Sequence, residues 1–333
     1  MKNKIEFNRE IYEANFKVAK KAFVLNTGLE ASACASAFIG DNEPITEEAL
    51  KAAKKILNRK TSLVSTLGRG NARQVVTATL ARSEDPEYAM EQIKKIHKGL
   101  DKKFLNSDYL VLAAVIIYNS CKPSEYDHFI ERTREIYKLL RKDHPLITGR
   151  EDIANCAIMA LTDIDVNTIT SECENDFTAL KKKFIGSNKV QYMACMTSLF
   201  NDDPATKADK TRLTWEMLKN EGVRFDSDAF AVVPLIALYV EDSEKKDVIK
   251  MIKKTSDDLK QVRGLGPLGA GKRIRNLIAT ALVIDAYKDS AKRSTTVTVG
   301  AVTAAIINAI IAAEIAAIVA ASAAASSAAA SSS

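Results

Sequence analysis

Two kinds of apolar patterning alternate along most of the chain. The first is amphipathic. In "SEYDHFIERTREIYKLL", from Ser124, the residues Ile130, Thr133, Ile136, Tyr137 and Leu140 recur at three- and four-residue steps, laying one apolar stripe along a helix. "TEEALKAAKKIL" from Thr46, "SEDPEYAMEQIKKIHKGL" from Ser83 and "SEKKDVIKMIKKTSDDL" from Ser243 follow the same plan. Each opens on Ser or Thr followed by acids, which predicts an N-cap with favourable first-turn charge. The second kind is short and apolar nearly all round, as at 109–118 and 228–239. Such a segment is a helix covered on every side. The pattern predicts outer amphipathic helices alternating with buried inner ones.

The alternation has a period. "LDKKFLNSDYLVLAAVII" (100–117), "LLRKDHPLITGREDIANCAIMAL" (139–161), "LKKKFIGSNKVQYMACMTSLF" (180–200) and "LKNEGVRFDSDAFAVVPLIALY" (218–239) share one order of features. Each runs from Leu and basic residues through Phe or His and a turn into an apolar stretch. The anchors Phe104, His144, Phe184 and Phe225 stand 40, 40 and 41 residues apart. Weaker matches extend the series back to 60–76 and 22–38, and forward to Pro267. The expected fold is all-α: helical hairpins of about 40 residues, some seven in number, forming an α-solenoid or closed helical array over residues 1–290.

Bulk properties narrow the class. The chain has 333 residues, 47% of them hydrophobic, which suffices for a packed core. Thirteen Gly, seven Pro and 6% aromatics favour helices over many short strands. A net charge of +6, without aromatics interleaved among the cations, does not mark a nucleic-acid binder. Five Cys lack C-x-x-C spacing, which favours reduced thiols over a disulfide framework or zinc site. "MKNKIEFNRE" has no apolar h-region, so no secretory signal is expected there.

The strongest candidate for chemistry is "GLGPLGAGKR" (264–273). It fits G-x-G-x-x-G on Gly264, Gly266 and Gly269, and G-x-x-x-x-G-K on Gly266, Gly271 and Lys272. A phosphate loop needs a strand ahead of it. Here the charged "EKKDVIKMIKKTSDDLKQVR" precedes, Arg273 replaces the hydroxyl residue after the Lys, and Pro267 removes an N–H. The expectation is an inter-helix turn, with Lys272, Arg273 and Arg275 left as a weak anion site at a helix start.

The remaining candidates read as packing. His97, His128 and His144 form no metal or triad pattern. His144 is expected as a turn wedge, with Thr148 capping the next helix and Glu151 completing a capping box. Cys34, Cys156 and Cys195 occupy the same place in their units as Val115 and Ile236, a buried site; Glu172 and Glu174 flank Cys173 and dull its reactivity. Basic clusters close the outer helices: Lys98, Lys102 and Lys103; Arg141 and Lys142; Lys181, Lys182 and Lys183; Lys253 and Lys254. They complement helix C-termini, and in a stacked array they form a ribbon along one rim. No catalytic, cofactor-binding or metal-binding residue stands out, and no cofactor is expected.

From Thr295 the composition shifts to "TTVTVGAVTAAIINAIIAAEIAAIVAASAAASSAAASSS". Residues 291–333 are expected to be a linker, an Ala/Ile helix and a frayed Ala/Ser tail. Residues 297–321 are long enough to span a bilayer, but Asn308 and Glu314 oppose insertion. Docking of the Ile face on the body, with a basic residue of 272–275 meeting Glu314, or self-association through the Ala face, are the alternatives to a tail anchor.

"KDHPLITGREDIANCAIMAL", with the stretches quoted before and after it, resembles an uncharacterised bacterial family of all-helical proteins, a domain of unknown function. That family has a His-Pro-x-x-Thr turn followed by an acidic residue and a buried helix, and an Ala/Ile-rich C-terminal tail. The matching positions are His144, Pro145, Thr148 and Asp152. The resemblance covers the chain to about residue 320 and implies a bacterial, Firmicute-like cytosolic protein; no catalytic residues come with it. The expected function is a non-catalytic interaction or scaffold module for a protein partner. The alternatives are membrane association through 297–321, peripheral or tail-anchored at the inner face, and nucleotide or nucleic-acid binding through the basic rim and Gly264–Arg275.

Overall fold

Fifteen α-helices and no strand make up the described residues of a computed structural model, which are 1–23, 28–62, 65–101, 104, 106–288 and 311. Long amphipathic helices alternate with shorter apolar ones. In chain order they are α1 (Lys2–Ala22) and α2 (Gly28–Ser36); α3 (Glu47–Lys60), the single turn α4 (Thr66–Arg69) and α5 (Arg73–Arg82); α6 (Pro86–Asp101) and α7 (Asp108–Ser120). There follow α8 (Tyr126–Asp143) and α9 (Asp152–Ala160); α10 (Val166–Lys181) and α11 (Ser187–Thr197); α12 (Pro204–Asn220) and α13 (Val232–Tyr239); α14 (Lys245–Leu259) and α15 (Gly271–Lys288).

The two patterns produce two roles. On α8, Ile130, Thr133, Ile136, Tyr137 and Leu140 are buried, as the stripe requires. On α7 every residue from Leu110 to Ile117 is buried, so the helix lies inside. Each amphipathic helix packs on the more apolar one that follows it: α1 on α2, α3 on α5, α6 on α7, α8 on α9, α10 on α11, α12 on α13, and α14 on the longer α15. Long helices also touch their neighbours, as α6, α8, α10 and α12 do in turn, and so do the short helices α5, α7, α9, α11 and α13. With this connectivity all long-to-short turns lie at one end of the molecule and all short-to-long connections at the other.

α1 packs against α15. Asn8 donates through Nδ2 to Asp285 Oδ2 at 2.9 Å and to the Leu282 carbonyl at 3.2 Å. Lys20 donates to the Arg263 carbonyl at 3.3 Å.

Cations tie off the short helices where their last carbonyls lack partners. Arg132 of α8 donates to the carbonyls of Ala160, Thr162 and Ile164 beyond α9. Lys207 of α12, fully buried, does the same for Thr197 and Phe200 beyond α11 and pairs with Asp176 at 2.8 Å.

Several predicted caps fall elsewhere. Thr46 does cap α3, accepting the Ala49 N–H at 3.1 Å. Ser83 does not cap α6: Asp85 accepts the Tyr88 N–H, because Pro86 favours the first helical position. Ser124 and Ser243 sit one residue too early, since Glu125 and Glu244 hold the N-cap positions of α8 and α14; Glu125 accepts the Lys122 N–H there. The box on Thr148 and Glu151 is replaced as well. Asp152 Oδ2 accepts the Gly149 N–H at 2.9 Å, while Thr148 turns back to the Leu140 carbonyl at 3.2 Å.

Of the C-terminal segment, Ile311 is helical and buried in the main core. The other positions on which the Ala/Ile helix, Glu314, the span 297–321 and the Ala/Ser tail rest lie outside the described residues. No described helix is long and apolar enough to cross a membrane.

Candidate interaction rim

The long-to-short turns are laced to one another. Asp108, at the start of α7, accepts from Asn71 Nδ2 at 3.1 Å and from the Ala72 N–H at 3.0 Å. Gln74 donates to Glu30 at 3.0 Å. Gln191 of α11 donates to Thr148 at 3.3 Å, and Asn276 of α15 to the Arg224 carbonyl at 2.9 Å. Arg273 pairs with Asp226. These bonds join some neighbouring turns, and the packing of α7 on α9 and of α11 on α13 links the others, so the turns gather along one rim.

The glycine-rich stretch is one of these turns. A helix, α14, precedes it. The N–H groups of Gly269, Ala270 and Gly271 donate to the carbonyls of Gly266, Gly264 and Gly266, which uses them inside the loop. Gly264 has φ +110°, a conformation that favours glycine. A Cβ on Gly28, where α2 begins, would come 2.6 Å from the Gly264 carbonyl oxygen. The glycines thus let the last turn touch the first. Arg275 does not belong to an exposed cation cluster: it is buried, donating to the carbonyls of Leu265 at 2.6 Å and Ser256 at 3.3 Å. Burial holds its pKa below the usual arginine value. Lys272 and Arg273 are exposed.

Beneath the rim lies a buried polar centre. His144 rests on Phe177 with ring centroids 4.3 Å apart and meets Glu174 at 2.5 Å. Phe184 and Phe225 are buried, and Phe104 packs edge-on to Tyr137, so all four anchors wedge their turns. Cys34, Cys156 and Cys195 are fully buried, as are Val115 and Ile236. Cys173 Sγ lies 4.0 Å from Cys195 Sγ; that contact, with burial, pushes the Cys195 thiol well up, and burial does the same to Cys156. Thiols held in this form are poor nucleophiles. Burial also pushes the Asp152 carboxyl up to about 7, against the pull of the Gly149 N–H. Its Oδ1 finds no hydrogen-bond partner among the described residues.

Two grooves open on the outer surface. One, of about 610 Å³, follows α8 past Tyr137, Arg141 and Lys142. The other, of about 470 Å³, runs between α1 and α14 and mixes Arg9, Lys17 and Lys254 with Glu6, Glu13 and Asp258. Neither gathers convergent polar groups over an apolar floor, the usual form of a small-molecule site.

Charge is biased between the two ends but not cleanly divided. The rim exposes Lys98, Arg141, Lys142, Lys181, Lys182, Lys183, Lys260, Arg263 and Lys272. Lys254 is exposed nearby and Lys253 half-buried, each paired with the Asp four residues on; Lys102 and Lys103 lie outside the described residues. The opposite end exposes Glu84, Asp85, Asp163, Asp165, Asp202 and Asp203. The rim also exposes Asp101, Asp143 and Asp226, and the opposite end Arg82 and Lys122. The cause is local, since acids gather at the starts of the long helices and bases at their ends. Parallel long helices add these preferences into one polar molecule.

Sequence patterning missed the rim's apolar feature. Leu146, Ile185 and Leu268 are 96%, 90% and 106% exposed, one on each of three turns. Each adjoins Pro or Gly: Pro145, Gly186, and Pro267 with Gly269. The signal was present as a large aliphatic beside a turn residue at the anchor position, but nothing in a periodic reading says whether it points in or out.

A family model described as a protein of unknown function (DUF4003) matches residues 15–316. No curated protein and no solved structure matches the chain.

Proposed function

The chain belongs to the DUF4003 family, and from that premise we propose that it is a binding module without catalytic activity. Its body, residues 1–290, is an array of seven repeated helical hairpins closed into a ring by the contact of α1 with α15. Ile311, the one described residue beyond 288, is buried in that body. The rim of long-to-short turns is the docking face. One observation carries the reading: three fully exposed aliphatics sit on separate turns of the basic end. Single exposed aliphatics are ordinary on a protein surface; what supports contact here is that three of them stand out fully on turns of the same basic end. The buried thiols and Asp152 belong to the core beneath the rim.

The test compares the tagged full-length chain with its Leu146→Ser/Ile185→Ser/Leu268→Ser variant in pull-downs from a native host. The expected result is loss of what the parent retains, at unchanged helical content. Equal retention by both proteins would remove the rim from consideration.

A further inference from the structure

We propose that the rim seats this protein on the surface of an anionic lipid bilayer. The inference rests on the rim being a docking face, and names what it docks on. Leu146, Ile185 and Leu268 belong to the fourth, fifth and seventh turns, and the rigid or small neighbours of each leave its side chain projecting. A protein partner gains most of its affinity from a contiguous, shape-matched cluster. Separate tips at one end of a molecule form no such cluster. A bilayer has no fixed shape, and it accepts isolated aliphatic anchors at the depth where headgroups meet hydrocarbon.

Charge selects the kind of bilayer. Lys142, Lys182, Lys260, Arg263 and Lys272 are exposed around the tips. Cations within a Debye length of anionic headgroups are attracted to them, and the attraction weakens as salt rises. The acids of the opposite end, Asp163 and Asp202 among them, point away from such a surface and add to the torque that orients the molecule. A second copy is the nearest competitor, since its acidic end complements the rim. That contact would set Leu146, Ile185 and Leu268 against carboxylates, which bury poorly beside apolar groups. An acidic protein would use the cations and leave the tips without a role.

Flotation of the full-length chain with vesicles tests the proposal. One set is phosphatidylcholine alone; the other adds phosphatidylglycerol. The chain is expected to float only with phosphatidylglycerol and to release as salt rises. Leu146→Ser/Ile185→Ser/Leu268→Ser should weaken vesicle binding about a hundredfold, with circular dichroism unchanged. Lys142→Glu/Lys182→Glu should weaken it about tenfold or more. Ile185→Trp should report a blue shift on the anionic vesicles that the parent's single tryptophan, Trp215, does not give. Undiminished flotation of the triple serine variant would overturn the proposal and move the attachment off the rim. Absence of flotation, with rim-dependent retention of an acidic protein, would overturn the lipid assignment and keep the docking face. Salt-sensitive self-association in sedimentation velocity, abolished by Lys142→Glu/Lys182→Glu and without flotation, would give the rim to a second copy. Failure of all three would overturn both readings.

Discussion

Asp152 is a carboxyl whose environment favours its neutral form, and this has a consequence for stability. Its folded pKa, about 7, lies above the ordinary carboxylate value of 3.8 because burial penalises the charge. The group therefore supports folding fully below pH 4, and that support is lost as pH climbs through 7. Asp152→Asn keeps an oxygen for the Gly149 N–H and cannot ionise. Relative to this variant the parent should lose stability steadily between about pH 4 and 7, by a few kcal/mol in all, and then run parallel. Urea unfolding midpoints across that range would show it; a constant difference would mean that Asp152 ionises freely in the fold. Lys207 makes the converse case. Its ammonium, fully buried, pairs with Asp176, whose carboxyl burial still pushes up to about 6. Lys207→Met should cost about 3–5 kcal/mol, because it leaves that carboxylate and two helix-end carbonyls unserved. Lys207→Met/Asp176→Asn should recover part of the loss in the same urea experiment, since no charge then remains buried.

At the scale of elements, the glycine-rich turn makes unequal demands on its glycines. Gly264 has φ +110°, and a Cβ there would meet Lys20 Nζ at 3.0 Å and Phe16 Cζ at 3.2 Å. Gly264→Ala should destabilise the chain by about 1–3 kcal/mol. A Cβ on Gly266 would have its nearest neighbour 3.7 Å away, so Gly266→Ala should stay within about 0.5 kcal/mol of the parent. Thermal melts of the two variants would show which of the two glycines the turn itself needs. The helices themselves were legible in the sequence because burial imposes a period. The stripe on α8 and the solid apolar run of α7 say how much of each helix is covered, whatever covers it. The anchors Phe104, His144, Phe184 and Phe225 were legible for the same reason. What escaped was decided by partners distant in sequence or by competition within a turn. Thr148 could cap a helix, yet Leu140 and Gln191 claim its hydroxyl. The need for glycine at 264 depends on Phe16 and Lys20, more than 240 residues upstream. The outward pointing of Ile185, next to the inward Phe184, follows from the turn's backbone and not from any periodicity.

For the described residues as a whole, the decisive contact joins α1 and α15. In an open stack the terminal helix pairs have one neighbour each, and fraying at one end is independent of the other. Contact between α1 and α15 gives the first and last described helix pairs a further neighbour, and couples them. Asn8 and Asp285 provide the handle: both are buried, and the amide donates to the carboxylate at 2.9 Å. Asn8→Asp replaces that donor with a second carboxylate, so two like charges face each other away from water unless one keeps its proton. Hydrogen exchange of Asn8→Asp at neutral pH should show faster exchange in both α1 and α15, while α7 and α9, on the far side of the sequence, keep their protection. Loss confined to α1 would mean that the two helices touch without supporting each other. Joint loss would mean that α1 holds α15 in place, and with it the turn that carries Leu268.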